Sequence, residues 1–325
     1  MPSPTQLQDD LRGEFRGRLY VDPPTRHLYA TDASPFHLPP LAVAIPEDED
    51  DLRTLMRYAH EHALPLAPRG AGTGLSGESL TPGIVLDLSV NFRQTAIGSD
   101  TARAGCGVVL ADLNAELAKG GRRFAPNPLS AAICTVGGMV GTNASGPNVF
   151  AHGYTRSHTR GLRVVWDTGE SATLTPTRQA SDADATPQLR TIEIRSNAAA
   201  LLSANRELID RCRPATPFHR GGYLLHEAIT ATGGLDLVNL LVGTEGTLSV
   251  VTEATLATVP LPGGVAVAVV GFQSLTEALR AGLTLRAAGG VVACDVFDQR
   301  LLALARPQPA GDWPVPDGVA AVLVA

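Results

Sequence analysis

The sequence predicts a mixed α+β protein, because strand-like runs are followed by amphipathic helices and then by a hairpin. Residues 41–45 form an apolar run, and the apolar positions that follow, up to about His62, recur at helical spacing. Residues 101–105 and 109–119 repeat this order, with Gly120-Gly121 ending the second helix. Residues 161–174 contain two strand-like runs around Thr168-Gly169, which predicts a β-hairpin.

Length and composition indicate a globular protein of about two domains. The chain has 325 residues, of which 44% are hydrophobic and 18% charged, so a sizeable core can form. The net charge is −6 and no run of Lys or Arg occurs, which argues against a nucleic-acid partner.

The cysteines and histidines predict no metal site. Four cysteines lie far apart and form no CxxC pair, which excludes a disulfide framework, a local zinc site and an iron–sulfur motif within this chain. The eight histidines form no recognisable ligand set. Scattered free cysteines favour a reducing compartment, so we expect a cytoplasmic protein.

No targeting or membrane-spanning segment is expected. The first ten residues lack a basic region followed by an apolar one, so no signal peptide is visible. The longest apolar run, residues 265–272, is shorter than the roughly 20 residues that span a bilayer. Peripheral contact with a membrane stays open.

A glycine-rich stretch at residues 68–79 (PRGAGTGLSGES) is the first unusual feature. Its four glycines let the backbone turn tightly and bring several N–H groups toward one point, and such a nest binds phosphate or pyrophosphate. The alternative is a plain flexible turn. A Walker loop is excluded because no Gly-Lys-Ser/Thr follows. A Rossmann fingerprint is excluded because the strand-like run at 83–88 follows instead of a helix.

A second unusual feature is the run of small residues between positions 126 and 146. A segment with so few large side chains packs closely against another backbone or a flat ligand. Further along, residues 201–211 read as a helix, residues 238–242 as a strand, and residues 247–259 as a long strand after a glycine-containing turn. Residues 175–189 read as a loop.

We expect an irregular arm or a short helix and loop over residues 1–40, and a domain boundary at Pro260-Leu261-Pro262. Beyond it, residues 265–272 and 318–325 predict strands, and residues 275–287 predict a helix. The chain stops inside an apolar run. This predicts that a longer protein has been cut, or that its second half is supplied separately.

Three ordered strings resemble one known family. They are PLAPRGAGTGLSGES (65–79), PNPLSAAICTVGGMVGTNASG (126–146) and LLVGTEGTLSVVTEATL (240–256). They are similar to the flavin-binding domain of the vanillyl-alcohol oxidase/p-cresol methylhydroxylase (PCMH) superfamily. Within it they most resemble the branch that holds D-lactate dehydrogenase, the flavin-binding part of glycolate oxidase, and D-2-hydroxyglutarate dehydrogenase. The resemblance is close over about residues 40–260 and loose beyond.

The resemblance implies two α+β subdomains of the PCMH-type FAD-binding fold over residues 41–260, followed by the start of an α+β cap domain over 261–325. It also implies a set of FAD-binding residues from all three strings. They are Pro68, Arg69, Gly70, Ala71, Gly72, Thr73, Gly74, Ser76, Gly77, Pro126, Ser130, Thr135, Val136, Gly137, Gly138, Asn143, Ser145, Gly146, Gly246, Thr247 and Val251. Because no histidine occurs between His62 and His152, we expect non-covalent FAD.

The activity that the resemblance implies is oxidation of a D-2-hydroxy acid such as D-lactate, glycolate or D-2-hydroxyglutarate. The flavin accepts the α-hydride at N5 while a base takes the hydroxyl proton. Arg156, His158 and Arg160 are candidates to border the flavin, and of these Arg156 and His158 are the candidates for a catalytic role. Electrons would pass to an iron–sulfur domain or subunit. The family's substrate-side histidines lie on the later cap, so the alternative is an FAD-binding or assembly module without turnover of its own.

Overall fold

The structure is a computed structural model that describes residues 2–176, 188–216, 221–230, 234–305, 315 and 318–325. Most of the predicted loop at 175–189 lies outside these residues. The strands are β1 (Arg18–Tyr20), β2 (Ala42–Ile45), β3 (Leu66–Arg69), β4 (Ile84–Asp87), β5 (Thr95–Ile97), β6 (Thr101–Gly105), β7 (Arg122–Arg123), β8 (Thr159–Val165), β9 (Ser171–Leu174), β10 (Val250–Ala257), β11 (Val259–Pro260), β12 (Val269–Phe272), β13 (Asp295–Asp298) and β14 (Ala321–Val324).

The helices include several of only one turn. They are α1 (Pro4–Asp10), α2 (Pro23–Leu28), α3 (Glu49–Glu61), α4 (Leu110–Ala118), α5 (Val136–Gly141), α6 (Val149–His152), α7 (Thr155–His158), α8 (Leu189–Ala204), α9 (Arg206–Arg211), α10 (Leu225–Ala228), α11 (Leu237–Leu241), α12 (Leu275–Ala288) and α13 (Gln299–Ala305). Across the described part of the chain, no helix combines the length and the apolar character needed to cross a membrane.

The first sheet has the order β1-β2-β4-β3, with β2, β4 and β3 parallel and β1 antiparallel at the edge. All four residues of β2 and of β4 are buried. A strand that is buried on both faces needs apolar residues at successive positions. For this reason β2 and β4 show no alternation of apolar and polar residues. Helices α1 and α3 pack on this sheet and share its core, to which Leu52 and Leu55 contribute.

The second sheet is antiparallel, with the order β5-β6-β10-β8-β9. Buried and half-buried residues alternate along all eight positions of β10, so one face of this strand meets the core. A second hydrophobic core, which includes Leu113, Trp166 and Leu256, lies against this sheet. The predicted hairpin is confirmed, since β8 and β9 pair around a turn in which Gly169 has a φ of +78°.

The segment after Pro262 forms an antiparallel sheet of its own, with the order β12-β14-β13. Helix α12 begins at a capping serine, since Ser274 Oγ accepts the N–H of Glu277 at 3.2 Å. The domain boundaries at residues 40 and 260, and the assignment of 261–325 to a cap domain, stay predictions.

The N-terminal segment is more regular than the expected arm, because β1 joins the first sheet and two short helices flank it. Asp51, which is 1% exposed, accepts the N–H groups of Arg16 at 3.0 Å, Gly17 at 2.8 Å and Glu47 at 2.9 Å. This carboxylate therefore satisfies three backbone donors where β1 begins and where β2 passes into α3.

The predicted strand at residues 238–242 is wrong, because this segment is helix α11. Asp236 caps the helix by accepting the N–H of Asn239 at 3.0 Å, and Leu237, Val238, Leu240 and Leu241 are buried on it. A short apolar run fits a buried strand and a buried helix equally well, so its capping aspartate was the informative signal. The predicted helix at 201–211 also begins earlier, at Leu189, and is interrupted at Asn205.

Replacing Asp51 by alanine should lower the free energy of unfolding by about 3 kcal/mol or more, because three N–H groups lose their acceptor. The neighbouring Asp50→Ala variant is the control, since the Asp50 side chain is 76% exposed, and it should cost under about 1 kcal/mol. Urea unfolding of both variants measures the difference. Equal losses would contradict this role of Asp51.

Candidate functional site

A cavity of about 690 Å³ is lined by residues of both large sheets and of the loops that leave them. The lining comes from three chain segments, residues 68–79, 128–146 and 241–251, together with Leu88, Cys106 and Gly221. Each of the three segments belongs to one of the strings singled out in the sequence. The fold thus brings together stretches that lie up to about 180 positions apart in the sequence.

Most of the sequence-predicted site residues line this cavity. They are Pro68, Arg69, Gly70, Ala71, Gly72, Thr73, Gly74, Ser76, Ser130, Thr135, Gly137, Gly138, Ser145, Gly146, Gly246 and Val251. Lining residues that the sequence analysis did not select include Glu78, Cys106, Cys134, Glu245 and Ser249. Four of these five lie inside the three strings without having been selected, and Cys106 lies outside them, so only the fold places Cys106 at the site.

Five predicted site residues are outside the lining: Gly77, Pro126, Val136, Asn143 and Thr247. Val136 and Asn143 are each 1% exposed, Val136 within the second core and Asn143 with its Oδ1 accepting the N–H of Arg156 at 2.9 Å. Pro126 is buried, and Thr247 Oγ1 donates to Thr244 O at 2.6 Å. Gly77 faces Phe36 and has a φ of +79°.

The glycine loop follows the carboxyl end of β3 and runs to β4 without a helix, as the sequence predicts. Within the described part of the chain, the N–H groups of residues 70–75 donate to no protein acceptor. Gly72 has a φ of +64°, a backbone conformation that L side chains rarely adopt. Six consecutive unpaired amides in a turning backbone beside a cavity are a cradle for an anion.

The N-terminal segment holds the glycine loop in place. Ala33 N–H donates to Gly72 O at 3.0 Å, and Ser79 Oγ donates to Asp32 at 3.0 Å. Burial acts to raise the pKa of Asp32, but hydrogen bonds from Ser34 and Ser79 outweigh it and hold the pKa below its ordinary value. Asp32 Oδ1 also accepts the N–H of Ser34 at 2.8 Å, so a local turn at Asp32 supports the glycine loop.

Arg69, at the end of β3, is held by the same N-terminal segment. Its guanidinium lies over the Tyr29 ring at 5.3 Å, and the Tyr29 hydroxyl donates to Asp87 at 2.6 Å. Burial, and then the hydrogen bond to Asp87, raise the pKa of Tyr29 above its ordinary value. Arg69 is therefore positioned at the mouth of the loop rather than free to follow a ligand.

The second wall is helix α5, which approaches the end of β6 closely. A Cβ on Gly137 would lie 2.6 Å from Cys106 Cβ and 2.9 Å from Cys106 O, so only glycine fits there. The helix is capped by Thr135 Oγ1, which accepts the N–H of Gly138 at 3.2 Å. The small residues of this segment therefore serve both close packing and the cavity surface.

The third wall is the turn between α11 and β10. Gly243 and Glu245 donate their N–H groups to Val140 O and Gly141 O, each at 2.9 Å, which ties the turn to α5. A Cβ on Gly246, whose φ is +79°, would overlap Pro68 at the start of the glycine loop. This turn therefore contacts both other walls.

Two carboxylates, Glu78 and Glu245, face the cavity, and the cationic side chain in the described lining is Arg69. Glu78 Oε2 accepts the N–H of Ser76 at 3.2 Å. Burial, and then the negative charge of Glu78, raise the pKa of Glu245 above its ordinary value. The lining side chains thus carry slight negative charge, and the attraction for an anion comes from backbone amides.

The two buried cysteines that line the cavity are not activated thiols. Burial raises the pKa of Cys106 and that of Cys134 above the ordinary value for a thiol. A neutral, buried thiol is a poor nucleophile, so these residues act as small apolar lining groups.

The two catalytic candidates from the sequence do not line the cavity. Arg156 is 6% exposed and donates to Val242 O, and burial lowers its pKa. His158 Nε2 is 2.8 Å from His152 O, its ring meets Phe124 edge-on, and burial lowers its pKa. In the described residues, no group of three His, Cys, Asp or Glu side chains could hold a metal ion.

Comparisons with known proteins identify the kind of site. Residues 40–175 match the family model described as "FAD binding domain". The chain contains an FAD-binding domain. This confirms FAD as the cofactor and confirms the family resemblance carried by the three strings.

The D-2-hydroxyglutarate dehydrogenase of Pseudomonas putida is 35% identical over 299 residues, which are 90% of this chain and 30% of that protein. The D-lactate dehydrogenase of Archaeoglobus fulgidus is 25% identical over 310 residues, 93% of this chain and 58% of that protein. The chain therefore spans about a third of the length of the first relative and under two thirds of the second.

The fold is similar to that of a solved structure of alkyldihydroxyacetonephosphate synthase, with a TM-score of 0.67 and 17% identity. The match covers 100% of this chain and 55% of the synthase chain. At this identity the match shows the fold alone, and it confirms the predicted mixed α+β architecture of PCMH type.

The FAD-binding domain's residues fit a dinucleotide that carries a pyrophosphate. The unpaired amides of residues 70–75 match its anionic centre, and the neighbouring lining is largely small or apolar, as flat rings require. The cavity therefore offers an anion cradle beside a lining that suits flat rings.

Two adjacent glycines on α5 provide a test of the close packing. Gly137→Ala should lower the free energy of unfolding by about 2 kcal/mol or more, because its Cβ would press on the backbone of Cys106. In Gly138→Ala the nearest atom, Thr135 Oγ1, is 3.4 Å from the new Cβ, so stability should stay equal or rise. Chemical denaturation of both variants measures this. A loss in Gly138→Ala as large as that in Gly137→Ala would contradict the packing described.

Glu78→Gln should strengthen FAD binding by roughly two- to fivefold, because it removes a negative charge near the cradle for the pyrophosphate. Glu61→Gln, an exposed position at the end of α3, is the control and should leave the affinity unchanged. Titration with FAD, followed by flavin fluorescence, gives both dissociation constants. Weaker binding in Glu78→Gln would show that this carboxylate assists the cofactor.

Proposed function

We propose that this chain is the FAD-binding portion of a flavin-dependent dehydrogenase that oxidises a D-2-hydroxy acid. The observation that carries the proposal is the convergence of three segments on one cavity with six unpaired amides. The similarity to a D-2-hydroxyglutarate dehydrogenase along 90% of the chain supports this substrate class. D-lactate and glycolate belong to the same class.

In this proposal, the amides of residues 70–75 hold the pyrophosphate. The segment from Thr135 to Gly146, which contains α5, lines one side of the isoalloxazine. The segment from Gly246 to Val251 lies along the adenine and ribose portion. When bound, FAD supplies the two-electron acceptor chemistry. The chain's own residues orient the cofactor and exclude water from its inner face.

A second candidate function is an FAD-binding module that has no turnover of its own. It is favoured by the lining, because among the described residues no histidine or lysine faces the cavity and Arg69 is engaged with Tyr29. A hydroxy-acid oxidation needs a base for the hydroxyl proton and a cation for the carboxylate. In this reading, another part of the enzyme supplies these groups.

We further propose that the enzyme is cytoplasmic or peripheral at a membrane, and that its electrons pass to an iron–sulfur domain or subunit. The electron acceptor is tested by co-expressing this chain with candidate partner proteins at full length, purifying the complex and measuring its iron content.

The decisive experiment uses the purified chain. Added FAD should bind with a stoichiometry of one per chain and show the shifted visible absorbance of a protein-bound flavin. Anaerobic addition of D-2-hydroxyglutarate, D-lactate or glycolate, with the L-enantiomers of the two chiral acids as controls, then follows. Loss of the flavin's visible absorbance after addition of D-2-hydroxyglutarate, D-lactate or glycolate shows that the chain is a dehydrogenase. Binding without bleaching shows the module, and failure of FAD to bind contradicts both.

A further inference from the structure

Arg156 is a buried cation whose guanidinium bonds to a neutral group. The residue is 6% exposed, its side chain donates to Val242 O, and its Nε atom has no partner among the described residues. Burial lowers the pKa of Arg156, and the charge of Glu227 opposes this only in part. A buried charge whose partner is a carbonyl costs desolvation energy, so the stability of the fold alone does not explain it.

Arg156 bonds to two walls of the cavity without belonging to its lining. It lies in α7, and its backbone N–H donates at 2.9 Å to Oδ1 of Asn143, in the segment of the second wall. Its guanidinium donates to the carbonyl of Val242, which ends α11 where the third wall begins. The backbone of one residue thus contacts the second wall, and its side chain contacts the third.

Gly243 shows how closely this contact is packed. Its φ is +88°, and a Cβ there would lie 2.9 Å from Nη2 of Arg156 and 3.1 Å from Cβ of Asn143. The N–H of Gly243 donates to Val140 O of α5 at 2.9 Å. The turn is therefore bonded to α5 and packed against Arg156, and the residues that follow, 244–246, line the cavity.

Three roles are conceivable for such an arginine, and the geometry separates them. A catalytic role would require the guanidinium to face the cavity, but Arg156 is not part of the lining. A role as a distant positive charge would not depend on the bond to Val242. The bond to Val242 and the packing on Gly243 favour the third role, which is to hold the turn.

We propose that Arg156 is a positioning residue whose guanidinium holds the turn at residues 242–246 against α5 and so keeps the third wall in place for FAD. The inference rests on the FAD binding of the proposed function, and it adds a residue that does not touch the cofactor. Removing the guanidinium should loosen this turn before any ligand binds, and FAD should bind more weakly as a result.

Arg156→Met removes the guanidinium and keeps an unbranched side chain. In the ligand-free variant, hydrogen exchange at the N–H of Gly243 should become about tenfold faster, because the turn opens locally more often. The N–H of Cys106, which donates to Thr252 O of β10 at 2.9 Å, is the reference and should keep its rate. Unchanged exchange at Gly243, or equal acceleration at Cys106, overturns the inference.

The dissociation constant for FAD should rise about five- to tenfold in Arg156→Met, at a temperature where the variant is fully folded. Arg122→Met is the matched control. Arg122 also joins two distant segments, since its Nη2 donates to Thr258 O at 2.7 Å, and it is outside the lining. Its removal takes away the same charge and should leave FAD affinity unchanged. An affinity of Arg156→Met within about twofold of the wild type, or an equal loss in Arg122→Met, contradicts the positioning role.

If Arg156→Met does not fold, Arg156→Lys decides by the same two measurements. Lysine keeps the charge but loses the planar fork of donors, so both changes should be about threefold. Wild-type exchange and wild-type affinity in Arg156→Lys would then overturn the inference. Failure of the wild type itself to bind FAD would contradict the proposed function, while the exchange measurement, which uses no FAD, still tests the hold on the turn.

Discussion

Close approach of neighbouring segments at glycine positions is the constraint on which the site depends. Gly70 meets Thr135, Gly137 meets Cys106, and Gly246 meets Pro68, and at each point a Cβ would overlap its neighbour. Through these contacts the glycine loop, α5 and the turn before β10 pack directly against one another. The cavity walls are therefore made mainly of backbone and small side chains, which leaves room for a large flat ligand.

This construction explains how a protein of net charge −6 presents an anion site. The described lining contains Glu78 and Glu245 against Arg69, so side-chain charge alone would repel a pyrophosphate. Fixed N–H dipoles offset this, because the N–H groups of residues 70–75 have no acceptor among the described residues and lie in a loop that lines the cavity. The N-terminal segment contributes by holding the loop through Ala33 and Asp32.

Local patterns predicted much of the fold, and about three quarters of the site residues that the family resemblance implied line the cavity. The strand at 101–105 agrees with β6 residue for residue, and the hairpin at 161–174 was recognisable from its turn. The segment at 237–241 was not, because a short buried apolar run has no periodicity that separates helix from strand. Val136 and Asn143 lie in the right segment but do not line the cavity, since Val136 packs in the second core and the Asn143 side chain accepts the N–H of Arg156.

The sequence alone determined the fold class, the three glycine-rich segments and the family, because tight turns and close approaches require glycine locally and leave a readable pattern. Only the tertiary structure decided which residues meet. Cys106 lies outside the three segments, and Glu245 is one polar residue within a glycine-containing turn, so the sequence singles out neither of them. Their places in the lining follow from the pairing of β10 with β6 and from the packing of α5 on both strands, which are contacts between distant parts of the chain.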